Sequence, residues 1–334
     1  MSKQQYSWLM LKVCLLFTTL SVTSCIDTGA DQLRIPLYVS GIALENFGTL
    51  TQQPMSEDAD VPAIELDSGQ YLLIDQAKLA FGSLYLCAGT SAGDLCDTAR
   101  AEWLDSVVID LLDEQIMSAG ELIGHSGIVR SWMFDLGLSS LLTHRTPYEL
   151  EAAQELNGAS LVLNGRVRNK MNQDETNTTD GIEEFPFSIS VKIQQSEDTE
   201  LGVPVIRKSN SESFEHDLTK GDSSLLIRFP LASWLRNLKF SSYFRTIDQA
   251  CEGGNPDQVQ TDYKLSCLGT IEQTCNLNTG EVETRDCSNF SQHCLPNYGC
   301  VDELKITSDS EQYRTVRNAI LIEGRPDFVW NKLD

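Results

Sequence analysis

The sequence is poor in histidine and in basic residues. Among 334 residues there are only four histidines, and 25 Lys and Arg stand against 48 Asp and Glu, for a formal net charge of −23. Such a negative field repels phosphate backbones, so nucleic-acid binding is disfavoured. Because the histidines share no metal-ligand spacing and no C-x-x-C occurs, neither a metal nor another cofactor is expected.

The N-terminus also lacks an apolar run long enough to span a membrane. Lys3 and Lys12 accompany an apolar segment of about ten residues at 13–22, and the chain turns polar soon after Ser24. A transmembrane helix needs roughly 20 apolar residues. A short apolar segment behind a basic start is typical of a secretory signal peptide, predicted here for residues 1–24.

The end of that segment, Val22-Thr23-Ser24-Cys25, resembles the lipobox of bacterial lipoproteins: an aliphatic residue, two small residues, then the modified cysteine. The resemblance covers about the first 26 residues. It implies cleavage before Cys25, a diacylglyceryl group on its thiol and acylation of the new amino group. With Ile26 next, the family's sorting habit implies the outer membrane. The alternative is an ordinary signal peptide that happens to hold a cysteine there.

Cysteine usage points to the same compartment. Once Cys14 is removed with the leader and Cys25 carries lipid, eight cysteines remain: Cys87, Cys96, Cys251, Cys267, Cys275, Cys287, Cys294 and Cys300. An even remainder in an exported chain predicts disulfides. Six of the eight fall within 251–300, where aliphatic residues are few, so this stretch is predicted to be a small subdomain stabilised by disulfides. Six cysteines allow 15 pairings, and the sequence does not choose among them.

Apolar residues alternate with polar ones in several short runs, which indicates strands. The runs lie at 33–39, 107–111, 161–167, 185–193 and 225–231. Clean alternation is typical of antiparallel sheets with one solvated face. Pro36 predicts that its strand lies at a sheet edge or start.

Two helices are predicted. Thr146, Pro147 and Glu149 form a helix start before the run that ends at Leu156, and a second helix spans about 309–322 with a closing strand at 328–330. The expected architecture is mainly β: a tether at 25–32, an antiparallel β-sandwich over 33–250, the cysteine-rich subdomain at 251–300, and a helix and strand at 301–334 that complete the sandwich. The alternative is an α+β sheet, because the first helix could belong to a crossover into the strand at Leu161.

One motif could carry chemistry. Gly89-Thr90-Ser91-Ala92-Gly93 fits G-x-S-x-G and resembles the nucleophile turn of patatin-type lipases, whose partner aspartate would be Asp180 of Asp180-Gly181. No upstream segment resembles the family's glycine-rich oxyanion loop, and without such donors the developing oxyanion is unsupported. Because Cys87 and Cys96 bracket the motif, the preferred interpretation is a small disulfide-closed loop that needs its glycines for a tight path.

Two further features have plain structural interpretations. The polar stretch at 169–181 offers oxygen ligands but lacks the spacing of a calcium loop, so a solvated hairpin loop is expected. Trp103, Trp132, Trp234 and Trp330 are interpreted as core aromatics rather than as a carbohydrate platform. The leading hypothesis is therefore a non-enzymatic outer-membrane lipoprotein that acts as a binding or structural module. The alternatives are a serine esterase using Ser91 and Asp180, and a glycan-binding module; the protein or glycan partner stays open.

Overall fold

A computed structural model describes the folded parts of the chain. The predicted leader, Cys25 and the tether up to residue 31 lie outside the described residues. The described residues are 32–41, 63–89, 99–113, 115–136, 150–168, 184–193, 206–207, 214–244, 263–268, 270–276, 282–295, 298–323 and 325–331.

Strands dominate this part of the chain, so the prediction of a mainly β fold with few short helices is confirmed. The strands are β1 (Gln32–Gly41), β2 (Ala63–Glu65), β3 (Tyr71–Cys87), β4 (Ala99–Asp110), β5 (Met117–His125), β6 (Gly127–Val129), β7 (Ser131–Asp135), β8 (Leu161–Arg168), β9 (Glu184–Val191), β10 (Ile206–Arg207), β11 (His216–Leu218), β12 (Leu225–Phe229), β13 (Tyr263–Leu268), β14 (Ile271–Asn276), β15 (Val282–Asp286), β16 (His293–Leu295), β17 (Gly299–Val301), β18 (Leu304–Ile306) and β19 (Asp327–Trp330).

Twelve of these strands form one large sheet. Its main path runs β18-β9-β8-β3-β4-β5-β1-β12-β19, while β2, β7 and β10 pair off that path. Most pairings are antiparallel, as the alternation predicts, but β1 with β12 and β18 with β9 are parallel. The sheet is therefore mixed rather than purely antiparallel.

Pro36 does not mark a sheet edge. Its strand, β1, pairs with β5 on one side and with β12 on the other, so the edge prediction is wrong. The pairing with β12 begins only at Leu37. The missing N–H of Pro36 is thus not needed on that side of the strand.

The 17-residue strand β3 organises the sheet. Its first half pairs with β8 and β2, and its second half pairs with β4 and β7. From Leu79 to Cys87 every residue is buried, because both faces of the sheet are covered there. One face enters the main core, and the other packs Ala80 against the first helix.

The large sheet curves around a single main core. Phe81 of β3 and Phe229 of β12 stand several strands apart in the sheet order, yet their ring centroids are 5.2 Å apart. Phe134 of β7 fills the space beside both, at 5.4 Å and 6.1 Å. These edge-to-face contacts across the core bring distant parts of the sheet together.

The helices are short and lie against the sheet. They are α1 (Glu151–Glu155), α2 (Leu231–Leu235) and α3 (Glu311–Asn318), which continues into a π-helical turn at Ala319–Glu323. The first helix begins after Leu150, whose backbone is extended, and not after Thr146, which lies outside the described residues. It ends where predicted: Asn157 and Gly158 adopt positive φ, and the Gly158 N–H donates to the Ala153 carbonyl at 2.8 Å.

The cysteine-rich stretch forms small sheets of its own. Strands β13, β14 and β15 make a three-stranded antiparallel sheet, and β16 pairs with β17. Directly afterwards β18 joins the large sheet beside β9. Leu295 is fully buried in the main core, and the rings of Tyr243 and Tyr298 lie 5.9 Å apart. The subdomain is thus packed onto the main domain through β16 and the turn after it.

Candidate functional site

The segment around Gly89 connects two antiparallel strands. Cys87 at the end of β3 stands opposite Ala99 at the start of β4, and the Ser131 hydroxyl donates to the Gly89 carbonyl at 2.6 Å. A nucleophile elbow joins a strand to a helix, and residues 90–98, where such a helix would begin, lie outside the described residues. Ser91 and Asp180 both lie outside the described residues, so no distance relates them.

Cys87 is buried and disulfide-bonded. Cys96 lies outside the described residues. The Cys87 carbonyl accepts a hydrogen bond from the Arg130 N–H at 2.8 Å, which fixes the end of β3 against the start of β7. A buried, bonded cysteine offers no thiolate for chemistry.

Within the described residues, two disulfides join four of the subdomain's cysteines. Cys267 bonds Cys294, with a Cα separation of 5.8 Å, and Cys287 bonds Cys300, with a Cα separation of 5.2 Å. The four sulfurs cluster together at the centre of the subdomain. The sequence predicted disulfides here but not these pairs. Cys251 lies outside the described residues, and Cys275 is described only by its position in β14.

Three side chains lie close enough together to resemble a metal site. The ligand atoms of Glu272, Cys287 and Cys300 lie within 4.8 Å of one another. The two sulfurs are bonded to each other, however, and a metal binds thiolates rather than a disulfide. The Glu272 carboxylate instead accepts a hydrogen bond from the Cys300 N–H at 2.8 Å, which holds the backbone next to the disulfide in place.

The described polar contacts converge most densely at His216 and Asp222. The His216 Nε2 lies 3.0 Å from Asp222 Oδ1, and the Asp222 side chain is only 4% exposed. Asp222 also accepts from the Thr219 N–H at 2.8 Å and from the Asn331 amide at 3.2 Å. This buried carboxylate holds the imidazole in one orientation.

An aromatic contact completes this cluster. The imidazole of His216 stacks on the indole of Trp330, with centroids 3.8 Å apart and planes 3° apart. A carboxylate-held imidazole is the usual form of a general base. Within the described residues, however, no hydroxyl or thiol forms a hydrogen bond with His216. Its contacts therefore tie the turn after β11 to the C-terminal strand, and sequence spacing gave no signal of this because His216 and Trp330 are far apart in the chain.

The other tryptophans among the described residues lie in the interior. Trp103, Trp132 and Trp234 are at most 5% exposed, whereas Trp330 is partly accessible. Trp132 stacks between Phe134 and Phe328, with centroids at 5.4 Å and 4.9 Å. Their packing accords with the interpretation as core aromatics.

The other three histidines and the polar loop at 169–181 lie in different parts of the chain. His125 is exposed at the end of β5, and His293 lies in β16, while His144 and the 169–181 loop lie outside the described residues. In the part of the chain that the structure describes, no helix is long and apolar enough to cross a membrane.

Compared with protein-family models, curated proteins and solved structures, the chain has no match.

Proposed function

We propose that the chain is an exported lipoprotein of the outer membrane, anchored by lipid on Cys25, whose folded part is a non-enzymatic binding or structural module. The observation that carries the proposal is the sequence Val22-Thr23-Ser24-Cys25 placed directly after a short apolar segment. One acyl chain attaches a protein only marginally, whereas two or three give durable attachment. The lipid would therefore suffice as the membrane contact.

The disulfides of the folded part support export. Cys267–Cys294 and Cys287–Cys300 are bonded, and so is Cys87, although these positions belong to two different parts of the chain. Structural disulfides form and persist outside the reducing cytosol. The support is independent of the leader, since none of these cysteines belongs to it.

The described groups that resemble reactive clusters have structural roles, as expected of a binding or structural module. The carboxylate–imidazole pair at His216 and Asp222 joins the turn after β11 to Trp330, and the sulfurs near Glu272 are bonded. The esterase alternative would rest on Ser91 and Asp180, which both lie outside the described residues. The glycan alternative would rest on Trp330 alone, because the other three tryptophans named above are buried.

Metabolic labelling with a radioactive fatty acid, followed by membrane fractionation, tests the anchor. The natural chain should carry label, lose its leader and sediment with outer membranes. Cys25→Ser should lose the label and keep its leader, whereas Cys14→Ser, the matched control within the leader, should behave as the natural chain. A Cys25→Ser chain that still carries label would contradict the proposal.

A second experiment separates the alternatives. The purified chain, treated with a fluorophosphonate and digested, should show no adduct on Ser91, while an adduct would favour the esterase. A glycan array probed with the natural chain and with Trp330→Ala addresses the third hypothesis: glycan binding that this substitution abolishes would support it.

A further inference from the structure

The tether and the sheet together restrict which surface of the protein meets the membrane. This inference rests on the proposed function, because it takes Cys25 as the lipid-bearing residue. Six residues separate Cys25 from Gln32, where β1 begins, so the start of β1 lies within about 25 Å of the anchor at full extension. Gln32 stands opposite His125, the last residue of β5. This end of the β1–β5–β4 region is therefore held near the bilayer.

The outward side of that end carries exposed apolar residues. Ile123 of β5 is 38% exposed and Leu104 of β4 is 53% exposed. Ile123 stands between Arg34 of β1 and Glu102 of β4 in register, and Leu104 follows Glu102 by two positions, on the same side of the strand. We call the exposed side chains of Arg34, Arg100, Glu102, Leu104, Glu121 and Ile123 the tether face.

The tether face carries little net charge, in contrast to the chain as a whole. Arg34 and Arg100 offset Glu102 and Glu121, and the exposed Asp105 beside Leu104 adds one negative charge, whereas the full chain carries a formal charge of −23. The Arg34 guanidinium is paired with the Glu121 carboxylate at 3.1 Å. A strongly negative surface would be repelled by anionic headgroups, and this face would be repelled far less.

We propose that the tether face lies against the phospholipid bilayer that holds the anchor, with Ile123 and Leu104 inserted at the headgroup boundary. Three observations combine: a short tether that ends beside the face, two exposed aliphatic side chains, and a low net charge on this face of an acidic chain. Side chains of this kind lower their free energy when they leave water for an interface. The contact fixes the orientation of the domain on the bilayer.

Carbene footprinting of the full lipidated chain tests this orientation. The chain is reconstituted into vesicles of phosphatidylethanolamine and phosphatidylglycerol, labelled with a photoactivated diazirine and compared with a leaderless Cys25→Ser chain in solution. Labelling of Leu104 and Ile123 should fall severalfold in the vesicle-bound chain. Labelling of Val282 and Phe290, exposed apolar residues of the subdomain, should not change. Unchanged labelling of Leu104 and Ile123 in a chain that floats with vesicles would overturn the orientation alone.

A charged substitution on the tether face tests whether this surface itself makes the contact with the bilayer. Ile123→Asp should restore the labelling of Leu104 without releasing the chain from vesicles, because the lipid still holds it. Val282→Asp, the matched control in the subdomain, should leave Leu104 protected. Protection that persists in Ile123→Asp would also overturn the proposal. If the natural chain fails to float with vesicles at all, the anchor fails, and with it the orientation.

Discussion

Gly165 shows how closely the strands of the sheet approach one another. It lies in β8 beside the irregular register of β3 between Ile74 and Gln76. A Cβ at this position would collide with the Leu73 carbonyl oxygen and would come within 3.2 Å of the Ile74 Cα. Both are backbone atoms of the central strand, so the clash cannot be relieved by a side-chain rotation.

We therefore expect Gly165→Ala to lower the free energy of unfolding by about 1–3 kcal/mol or more, the usual cost of overpacking. Urea denaturation followed by far-ultraviolet circular dichroism measures this. Gly89→Ala is the matched control, because a Cβ there would meet no atom within 4 Å. Equal midpoints for the two variants would contradict the explanation.

Contacts between individual residues were the features least predictable from the sequence. The stacked pair of His216 and Trp330 joins residues more than 100 positions apart, and no local sequence pattern around either residue predicts the contact. The pairing of Cys267 with Cys294 likewise depends on how β13 and β16 meet. Contacts of this kind are consequences of the tertiary fold rather than of any local pattern.

At the scale of elements, alternation of apolar and polar residues predicted several of the strands that have one solvated face, but it missed β5, which also has one. The runs in β1, β8 and β9 match the structure closely. The long strand β3 was largely missed, since its second half is buried on both faces and its sequence does not alternate. The parallel pairings could not be predicted, because a pattern within one strand does not identify its neighbour or its direction.

The helix α3 shows a local signal that the sequence does carry. Ser310 precedes it, and the Ser310 hydroxyl accepts a hydrogen bond from the Tyr313 N–H at 3.1 Å. Such a cap satisfies one of the free N–H groups at the start of a helix. The helix matters for the fold because Tyr313 and Val316 pack into the main core.

We expect Ser310→Ala to destabilise the protein by about 1 kcal/mol, and Ser310→Asp to retain most of the stability because a carboxylate also caps. Thermal unfolding of the three chains provides the comparison. Ser308→Ala, two residues earlier on an exposed position, controls for the loss of a hydroxyl. A Ser308→Ala effect as large as that of Ser310→Ala would exclude the cap as the cause.

At the scale of the whole molecule, the subdomain and the main domain share buried contacts. Leu295 of β16 is fully buried within the main core, although it follows the bonded Cys294. Nearby, Tyr243 lies against Tyr298; burial, followed by a hydrogen bond to Tyr298, raises the pKa of Tyr243 far above its usual value.

If these contacts couple the two parts, shortening Leu295 should loosen the subdomain more than the sheet. We expect Leu295→Ala to cost about 2–5 kcal/mol, the range for removing a buried leucine side chain. In hydrogen exchange, amides of β13 to β17 should then exchange faster, because the subdomain is held less firmly against the main domain. Amides of β3 and β8 should change less. The disulfides do not prevent this difference, because they lie within the subdomain and do not dock it. Val282→Ala, in the same subdomain but exposed, should alter neither. Uniform acceleration across both regions would instead mean that the chain unfolds as one cooperative unit.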